Sequence, residues 1–396
     1  MRPPRDPTRR RFLEASTGAA LAAWLRPARA SGDAGPPDAI PFVGEGDFPL
    51  ETTFGEGLGQ RRGLDLATLT PESLLTPQDR FFIRTGTPDG IPPPSSWTIR
   101  VHGLVKAPQE IRLPDLKREA DDRGAPLIEC AGNARTAHFG LMSAARWTGV
   151  PMARVLGRLP LLPRATRVLV SGYDEHSVLD PGSVPGASWV FTLDQLRGAG
   201  AFLSTEMNGA PLRPEHGAPV RLVVPGWYGC TAIKWVNEIA LVDDGIAATD
   251  QMREYAGRTH QHSLGPRDRE LMDAGHRPEG PPLARDFQPA AIDAAAVPIR
   301  VERSRTTATD FRVVGIVWGG SAPIRALRIR FNPELPWAPV EEVGHAAAGS
   351  WALWSHPFRS PAPGRYRIEL KVADPGVRTR RLDVGYYARE VEIPRA

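Results

Sequence analysis

The chain has 396 residues, of which 41% are hydrophobic and 24% charged, and this length and balance suit two or three folded domains. The formal charge of +4 is concentrated in residues 1–30, which hold seven arginines and two acidic residues, so the rest of the chain gives no case for a nucleic-acid partner. Two cysteines exclude a disulfide scaffold, a zinc ribbon and a cysteine-ligated iron–sulfur cluster, because each needs more thiols.

Residues 1–30 are organised like an export signal. The run Thr8-Arg9-Arg10-Arg11-Phe12-Leu13 precedes a weakly apolar stretch and the small-residue site Ala28-Arg29-Ala30. The arginines followed by Phe-Leu are typical of a twin-arginine signal, and an Arg-rich disordered tail is the alternative. No later segment reaches about 18 uncharged apolar residues. We therefore expect a protein exported in the folded state to the periplasm, without a permanent membrane anchor.

Residues 31–64 are rich in Gly, Pro and acidic residues and predict an extended leader. Residues 65–264 mix short strands and helices without a βαβ repeat, which favours an α+β domain. The predicted strands are Trp97–Gly103, Pro126–Cys130, Arg167–Val170, Val220–Val224 and Ile233–Val242. The predicted helices are Leu113–Glu119, Val150–Leu159 and Leu193–Arg197.

Residues 265–291 are polar and Pro-rich and predict a linker. In residues 292–396 only strands are predicted, separated by Gly and Pro turns, and this pattern favours an immunoglobulin-like β-sandwich. These strands are Ile299–Glu302, Phe311–Trp318, Ile324–Phe331, Trp351–Pro357, Tyr366–Val372 and Val384–Ile393.

Cys130 is the first residue that suggests chemistry. It ends a predicted strand and begins the turn Cys130-Ala131-Gly132-Asn133-Ala134-Arg135, where turn amides and a cation can favour a thiolate. A buried structural cysteine is the alternative. The nearby His138 suggests that Cys130 could act as a Cys/His nucleophile, but no third orienting group and no acyl-transfer motif accompany the two residues.

A second segment strengthens the case for a binding site. It runs from His216 through Arg221 and a Gly-rich turn to Lys234, one of only four lysines in the chain. Glycines allow a ligand to approach the backbone closely, and the two cations suit an anionic ligand. The chain has no haem-attachment motif, dinucleotide loop or phosphate loop of the familiar patterns, so another redox centre is expected.

Together the two segments resemble the sulfite oxidase family of molybdopterin enzymes. The resemblance rests on the Cys-Ala-Gly-Asn-x-Arg turn and on the run from Gly217 to Gly229 that leads into Lys234-Trp235. It implies a molybdopterin-binding domain over 65–264, a dimerisation domain over 292–396 and a molybdenum–molybdopterin cofactor, with no haem in this chain.

The resemblance also assigns roles to individual residues. It implies that Cys130 is the sole protein ligand to molybdenum, which agrees with the affinity of a soft thiolate for this kind of centre. It implies cofactor contacts from His216, Arg221, Thr231, Ala232, Ile233 and Lys234. It implies catalytic roles at the substrate for Arg84, Arg135, Tyr255 and Arg380, with Arg381 as the alternative to Arg380. Cys230 is interpreted as a small packing residue.

We therefore expect an exported enzyme that oxidises sulfite to sulfate, passes electrons to a separate c-type cytochrome and forms a homodimer. The first alternative is a molybdopterin-dependent reductase of methionine sulfoxide or another S- or N-oxide. The second is an exported, non-catalytic binding protein whose β-sandwich is the functional part.

Overall fold

The computed structural model describes residues 38–174, 187–260, 282–304, 307, 309–320, 324–344, 349–360 and 362–394. The predicted export signal and most of the predicted linker lie outside these residues. No helix in the described ranges is long and apolar enough to span a membrane.

The segment before residue 65 is bound to the C-terminal part of the chain through β1 (Asp38–Ile40) and β2 (Phe42–Val43). Strand β1 pairs antiparallel with residues 301–303, and β2 pairs antiparallel with residues 390–391. The predicted leader is thus extended, and part of it adds strands to the sheets of another region.

The central region is a mixed α+β unit. Its strands are β3 (Thr98–Gly103), β4 (Gln109–Arg112), β5 (Asp121–Asp122), β6 (Leu127–Glu129), β7 (Met142–Ala144), β8 (Trp147–Pro151), β9 (Arg167–Gly172), β10 (Ser188–Thr192), β11 (Phe202–Met207), β12 (Ala210–Pro211), β13 (Arg221–Val223) and β14 (Val236–Val242). Its helices are α1 (Leu113–Glu119), α2 (Met152–Gly157), α3 (Leu193–Gly198) and α4 (Asp250–Tyr255).

Three sheets organise this region. One has the order β10-β9-β14-β3-β4, a second joins β12, β11, β8 and β5 with β13 beside β11, and the third pairs β6 with β7. Strand β3 shows the underlying pattern, because Ile99 and Val101 are buried between less buried polar neighbours. Helix α3 begins at a capping box formed by Thr192 and Gln195.

The C-terminal region consists mainly of strands. They are β15 (Ala295–Arg303), β16 (Asp310–Trp318), β17 (Leu327–Phe331), β18 (Ala338–Pro339), β19 (Glu342–Val343), β20 (Ala352–Arg359), β21 (Gly364–Val372) and β22 (Arg389–Ile393), with one short helix, α5 (Arg380–Asp383). They form the sheets β1-β15-β16-β20-β19 and β18-β17-β21-β22-β2. Strand β15 of the first sheet contacts β21 and β22 of the second, so the region is a two-sheet sandwich.

Several predicted elements differ from the observed ones in their bounds, and for two of them the structure shows the cause. The helix predicted over Val150–Leu159 begins only at Met152, because β8 continues to Pro151 in its pairing with β11. Proline disrupts a helix interior but is tolerated at a helix start, which fits this boundary. The strand predicted over Val384–Ile393 begins at Arg389, since a turn with Gly385 at φ 69° follows α5.

Candidate active site

Cys130 directly follows β6, where it borders a partly open cavity. Its amide donates to the Leu141 carbonyl at 2.9 Å, and its own carbonyl accepts from the Asn133 amide at 2.9 Å. The Gly132 amide approaches the Cys130 Sγ atom at 3.4 Å. The residue is only 5% exposed. The turn therefore fixes a single thiol in the cavity wall.

Burial raises the pKa of the Cys130 thiol above its ordinary value, and the Gly132 amide and the Arg84 charge offset part of this effect. The thiol therefore keeps its proton near neutral pH when nothing is bound. A soft metal ion removes this penalty by replacing the proton, because metal ligation requires the thiolate.

Most of the residues predicted from the sequence meet around this one cavity. Those in its wall are Arg84, Cys130, His216, Arg221, Ala232, Ile233, Lys234 and Tyr255. Thr231 is buried just behind the wall and donates its hydroxyl to the Tyr228 carbonyl at 2.8 Å. Cys230 is buried and lies in the wall, so it is in contact with the cavity.

His216, Arg221 and Lys234 form one connected cluster in this wall. Arg221 Nη1 donates to the His216 carbonyl at 3.0 Å, and Lys234 Nζ donates to the Glu215 carbonyl at 2.9 Å and to the Thr85 carbonyl. His216 Nε2 lies 2.7 Å from the Gln78 carbonyl, which can only accept, so this nitrogen carries the proton.

The cluster is buried without a carboxylate bonded to either cation in the described part of the chain. Burial lowers the pKa of Lys234 well below its ordinary value and that of Arg221 to about 9. The Nε atom of Arg221 is buried and has no hydrogen-bond partner among the described residues. The charges of Asp174 and Glu215 in the same wall offset only part of this effect at Lys234, and a bound anion would add charge-assisted hydrogen bonds to both cations.

This arrangement fits a molybdopterin cofactor. Cys130 supplies a soft ligand for the metal, and Arg221 with Lys234 supplies donors for an anionic phosphate, including the unpartnered Nε. His216 would contribute its unprotonated Nδ1 as an acceptor. The residues present in the wall therefore match the chemistry of both ends of such a group.

We expect His216 to make the protein less stable in acid. Burial lowers the pKa of His216 from 6.5 to about 3, so between these pH values the unfolded chain binds a proton that the folded chain does not. The free energy of unfolding should fall, as pH drops through this window, by up to about 1.4 kcal/mol per pH unit from this group. Denaturant unfolding between pH 6.5 and 4 measures this dependence. The free energy of unfolding should change less steeply with pH in His216→Gln than in the wild type. Equal pH dependence in the two proteins would contradict a buried, neutral His216.

Arg84 and Tyr255 line the same cavity as Cys130. Arg84 lies at a bend directly after Ile83 and is half-buried, whereas Tyr255 ends α4 and is 7% exposed. Burial raises the pKa of the Tyr255 hydroxyl, and the Arg84 charge partly opposes this effect. The hydroxyl is therefore a proton-bearing donor over the whole physiological pH range.

Two of the predicted catalytic arginines lie elsewhere. Arg135 begins a short 3₁₀ turn after the cysteine turn, and its side chain is exposed and outside the cavity wall. Its role in substrate binding stays a prediction.

Arg380 also lies outside the cavity wall, and its catalytic role stays a prediction. Its guanidinium forms two hydrogen bonds to Asp293, at 2.7 and 3.1 Å, and does not line the cavity. The neighbouring Arg381 donates instead to the carbonyls of Ala131, at 2.9 Å, and of Arg258. Adjacent helical residues point about 100° apart, so only one of the two can face the cysteine turn. Arg381 is therefore the arginine of this pair that contacts the Cys130 turn, where the Tyr386 hydroxyl also donates to the Asn133 carbonyl at 2.6 Å.

Gln251, which was not predicted from the sequence, lines the cavity one helical turn before Tyr255 and donates to the Cys230 carbonyl. The i, i+4 spacing on α4 was the available signal. His138 is engaged outside the cavity wall, with Nδ1 2.8 Å from a Glu45 carboxylate oxygen. Its proposed pairing with Cys130 as a nucleophile therefore has no support.

The model of the oxidoreductase molybdopterin-binding domain family matches residues 86–248. Sulfite oxidase of Gallus gallus is 28% identical over 337 residues, covering 78% of this chain and 68% of that protein. The human mitochondrial sulfite oxidase is 28% identical over 336 residues, which cover 78% of this chain and 57% of that protein. An NADPH nitrate reductase of Aspergillus niger is 32% identical over 197 residues, 45% of this chain and 22% of that enzyme.

Among solved structures, the sulfane dehydrogenase SoxCD from Paracoccus pantotrophus is similar with a TM-score of 0.64. The match covers 96% of this chain and 98% of that chain at 18% identity, so it shows a shared fold. The domain match, the sulfite oxidase relatives and the shared fold agree with the cysteine-lined, cationic cavity. This chain contains an oxidoreductase molybdopterin-binding domain and is similar to the sulfite oxidases over most of its length.

Proposed function

We propose that this enzyme oxidises sulfite to sulfate and passes the electrons to a separate c-type cytochrome. The observation that carries the proposal is that Cys130, Arg84 and Tyr255 share one cavity wall with the cluster around Arg221 and Lys234. In the overall reaction sulfite and water give sulfate, two protons and two electrons. Cytochromes of this type accept one electron at a time, so two are needed for each sulfite.

Different residues of the cavity wall would bind the cofactor and the substrate. Cys130 would hold the molybdenum, and His216, Arg221 and Lys234 would hold the rest of the cofactor. When bound, the cofactor supplies oxygen-atom transfer and takes up two electrons. Arg84 binds and orients the anionic substrate, and the buried Tyr255 hydroxyl donates a hydrogen bond to a substrate oxygen.

The proposal extends to location and assembly. The arginine-rich start of the chain supports export by the twin-arginine route to the periplasm, where sulfite and a c-type cytochrome would be met. The C-terminal sandwich supports an immunoglobulin-like domain through which two copies form a homodimer.

A reductase of an S- or N-oxide remains the second candidate, because nitrate reductases are among the relatives of this chain. Sulfite oxidation is favoured over sulfoxide reduction, because a neutral sulfoxide would leave the half-buried Arg84 in the cavity wall without a counter-charge. The matched domain and the sulfite oxidase relatives support an enzyme rather than a non-catalytic binding protein.

The molybdenum-loaded protein should be assayed in both directions. We expect sulfite-dependent reduction of cytochrome c. We also expect that methionine sulfoxide, trimethylamine N-oxide or nitrate does not oxidise a reduced dye faster than the dye is oxidised without them. A dye assay that is active while the cytochrome assay is silent would replace the proposed function by the reductase.

The two arginines placed differently by the structure should behave differently. Arg84→Gln is expected to raise the KM for sulfite by roughly 10- to 100-fold, because a charge-assisted contact in the cavity is lost. Arg135→Gln should raise it by less than about fivefold, because exposed charges are screened by water. Steady-state kinetics at constant ionic strength measures both. The reverse order would restore Arg135 as a substrate ligand.

A further inference from the structure

A second arginine, Arg61, lies directly beside Arg84. The backbones of Arg62 and Ile83 exchange two hydrogen bonds of 2.9 Å in an antiparallel bridge. In that register residues 61 and 84 stand opposite each other, with side chains that are neighbours across the two segments. Arg61 thus comes from the N-terminal segment, outside the residues 86–248 that match the family model.

The two guanidinium groups are placed as an uncompensated pair. Both residues are half-buried, and neither forms an ion pair with a carboxylate in the described part of the chain. Arg61 Nη1 donates to the carbonyls of Leu58, at 3.0 Å, and Gln60, at 2.8 Å, which hold the group in position. Like charges opposite each other destabilise a pair of strands, so this juxtaposition is costly unless an anion lies between them.

Arg84 is the member of the pair that lines the cavity, and Arg61 lies beside it outside the cavity wall. Arg84 shares the cavity wall with Cys130 and Tyr255. Burial lowers the pKa of Arg61, the Arg84 charge lowers it further, and Tyr255 and Cys130 act on it in the opposite sense. All three groups are therefore close enough to Arg61 to interact with it electrostatically.

The other charged groups near Cys130 and Tyr255 do not neutralise Arg61 and Arg84. Arg258 adds a cation on the far side of the turn, against Gly132 and 5.6 Å from the centre of the Tyr255 ring. The carboxylate of Glu129 is buried behind Cys130, where it accepts hydrogen bonds from the side chains of Trp318 and Tyr387. Glu254 next to Tyr255 is exposed to solvent.

We propose that Arg61 is a specificity-determining residue that, together with Arg84, makes the substrate site select dianions over monoanions and neutral molecules. This inference rests on the proposed function and narrows it. Two adjacent guanidinium groups match the two charges of sulfite near neutral pH, whereas nitrate or a sulfoxide would leave at least one cation uncompensated.

Equilibrium binding to the molybdenum-loaded enzyme tests this pair without turnover. Sulfate serves as the dianionic probe and nitrate as the monoanionic probe, both titrated calorimetrically at fixed ionic strength. For Arg61→Gln we expect the Kd for sulfate to rise roughly 10- to 100-fold and the Kd for nitrate to change by less than about threefold. Arg61→Lys should retain part of the preference, because it keeps the charge but not the planar fork.

Arg328→Gln is the matched control, since Arg328 is an exposed arginine on β17 of the sandwich, and both Kd values should stay at those of the wild type. Unchanged sulfate binding in Arg61→Gln, or equal losses for sulfate and nitrate, would overturn the proposal. If Arg61→Gln loses stability, Arg61→Met takes its place, and unchanged sulfate affinity in the folded Arg61→Met protein would overturn the proposal as well.

Kinetics separates this inference from the proposed function. If sulfite is the substrate, Arg61→Gln should raise its KM much more than it lowers kcat. If the enzyme does not turn over sulfite but sulfate binding still depends on Arg61, then the proposed function fails and the dianion site stands.

Discussion

Replacing Cys130 by serine is expected to leave a folded protein whose sulfite-dependent turnover falls by at least about a thousandfold. A hydroxyl is a much harder and less acidic ligand than a thiol, so it does not replace the soft ligand that a sulfur-bound metal needs. The fold should persist because Cys130 contributes only a small side chain to the wall, and its backbone hydrogen bonds to Leu141 and Asn133 do not involve sulfur.

Cys230→Ser provides the matched control. Cys230 is buried in the same wall and is equally free of a disulfide, but the proposed function gives its sulfur no role. Its variant should retain turnover within about threefold of the wild type, the range of a small change in packing. Wild-type turnover in Cys130→Ser, or a comparable loss in both variants, would remove the metal-ligand assignment.

Replacing Arg221 by methionine is expected to lower the molybdenum content of the purified protein by at least about tenfold. The side chain is buried, its Nε has no partner among the described residues, and the variant removes the donors for an anionic end of the cofactor. Methionine has similar length and can pack against Trp147, over which the guanidinium lies at 5.3 Å. The variant removes a buried charge that has no carboxylate partner, so the cofactor-free fold should survive.

Elemental analysis of molybdenum, with circular dichroism as the check on folding, measures this effect. Arg328→Met replaces an exposed arginine and should keep wild-type molybdenum content. A folded Arg221→Met protein with full molybdenum content would show that Arg221 does not bind the cofactor. The cluster would then have to act on another anion.

Much of the site could be predicted from local sequence. Cys130 follows a short apolar strand and begins a glycine-containing turn, and Lys234 stands out because the chain has only four lysines. These signals lie within single segments, so they survive without knowledge of the fold. The sequence also predicted α1 with the observed bounds, Leu113–Glu119, because buried Leu113 and Leu116 are one turn apart and Pro114 starts the helix.

The remainder depended on contacts between distant segments. Arg61 lies beside Arg84 only because residue 62 pairs with residue 83, and no local pattern indicates that register. The different contacts of Arg380 and Arg381 depend on the phase of α5 against Asp293 and the Cys130 turn. The N-terminal segment has little periodicity because its short strands complete sheets built by residues after 290.

The most direct test of the account is the stoichiometry of sulfite oxidation by the molybdenum-loaded wild-type enzyme. Sulfate formed is quantified by ion chromatography, and cytochrome c reduced is followed by its absorbance. The account predicts two cytochromes reduced for each sulfate formed, with no reaction in Cys130→Ser. Absence of sulfate and of cytochrome reduction in protein that contains its full molybdenum would contradict it.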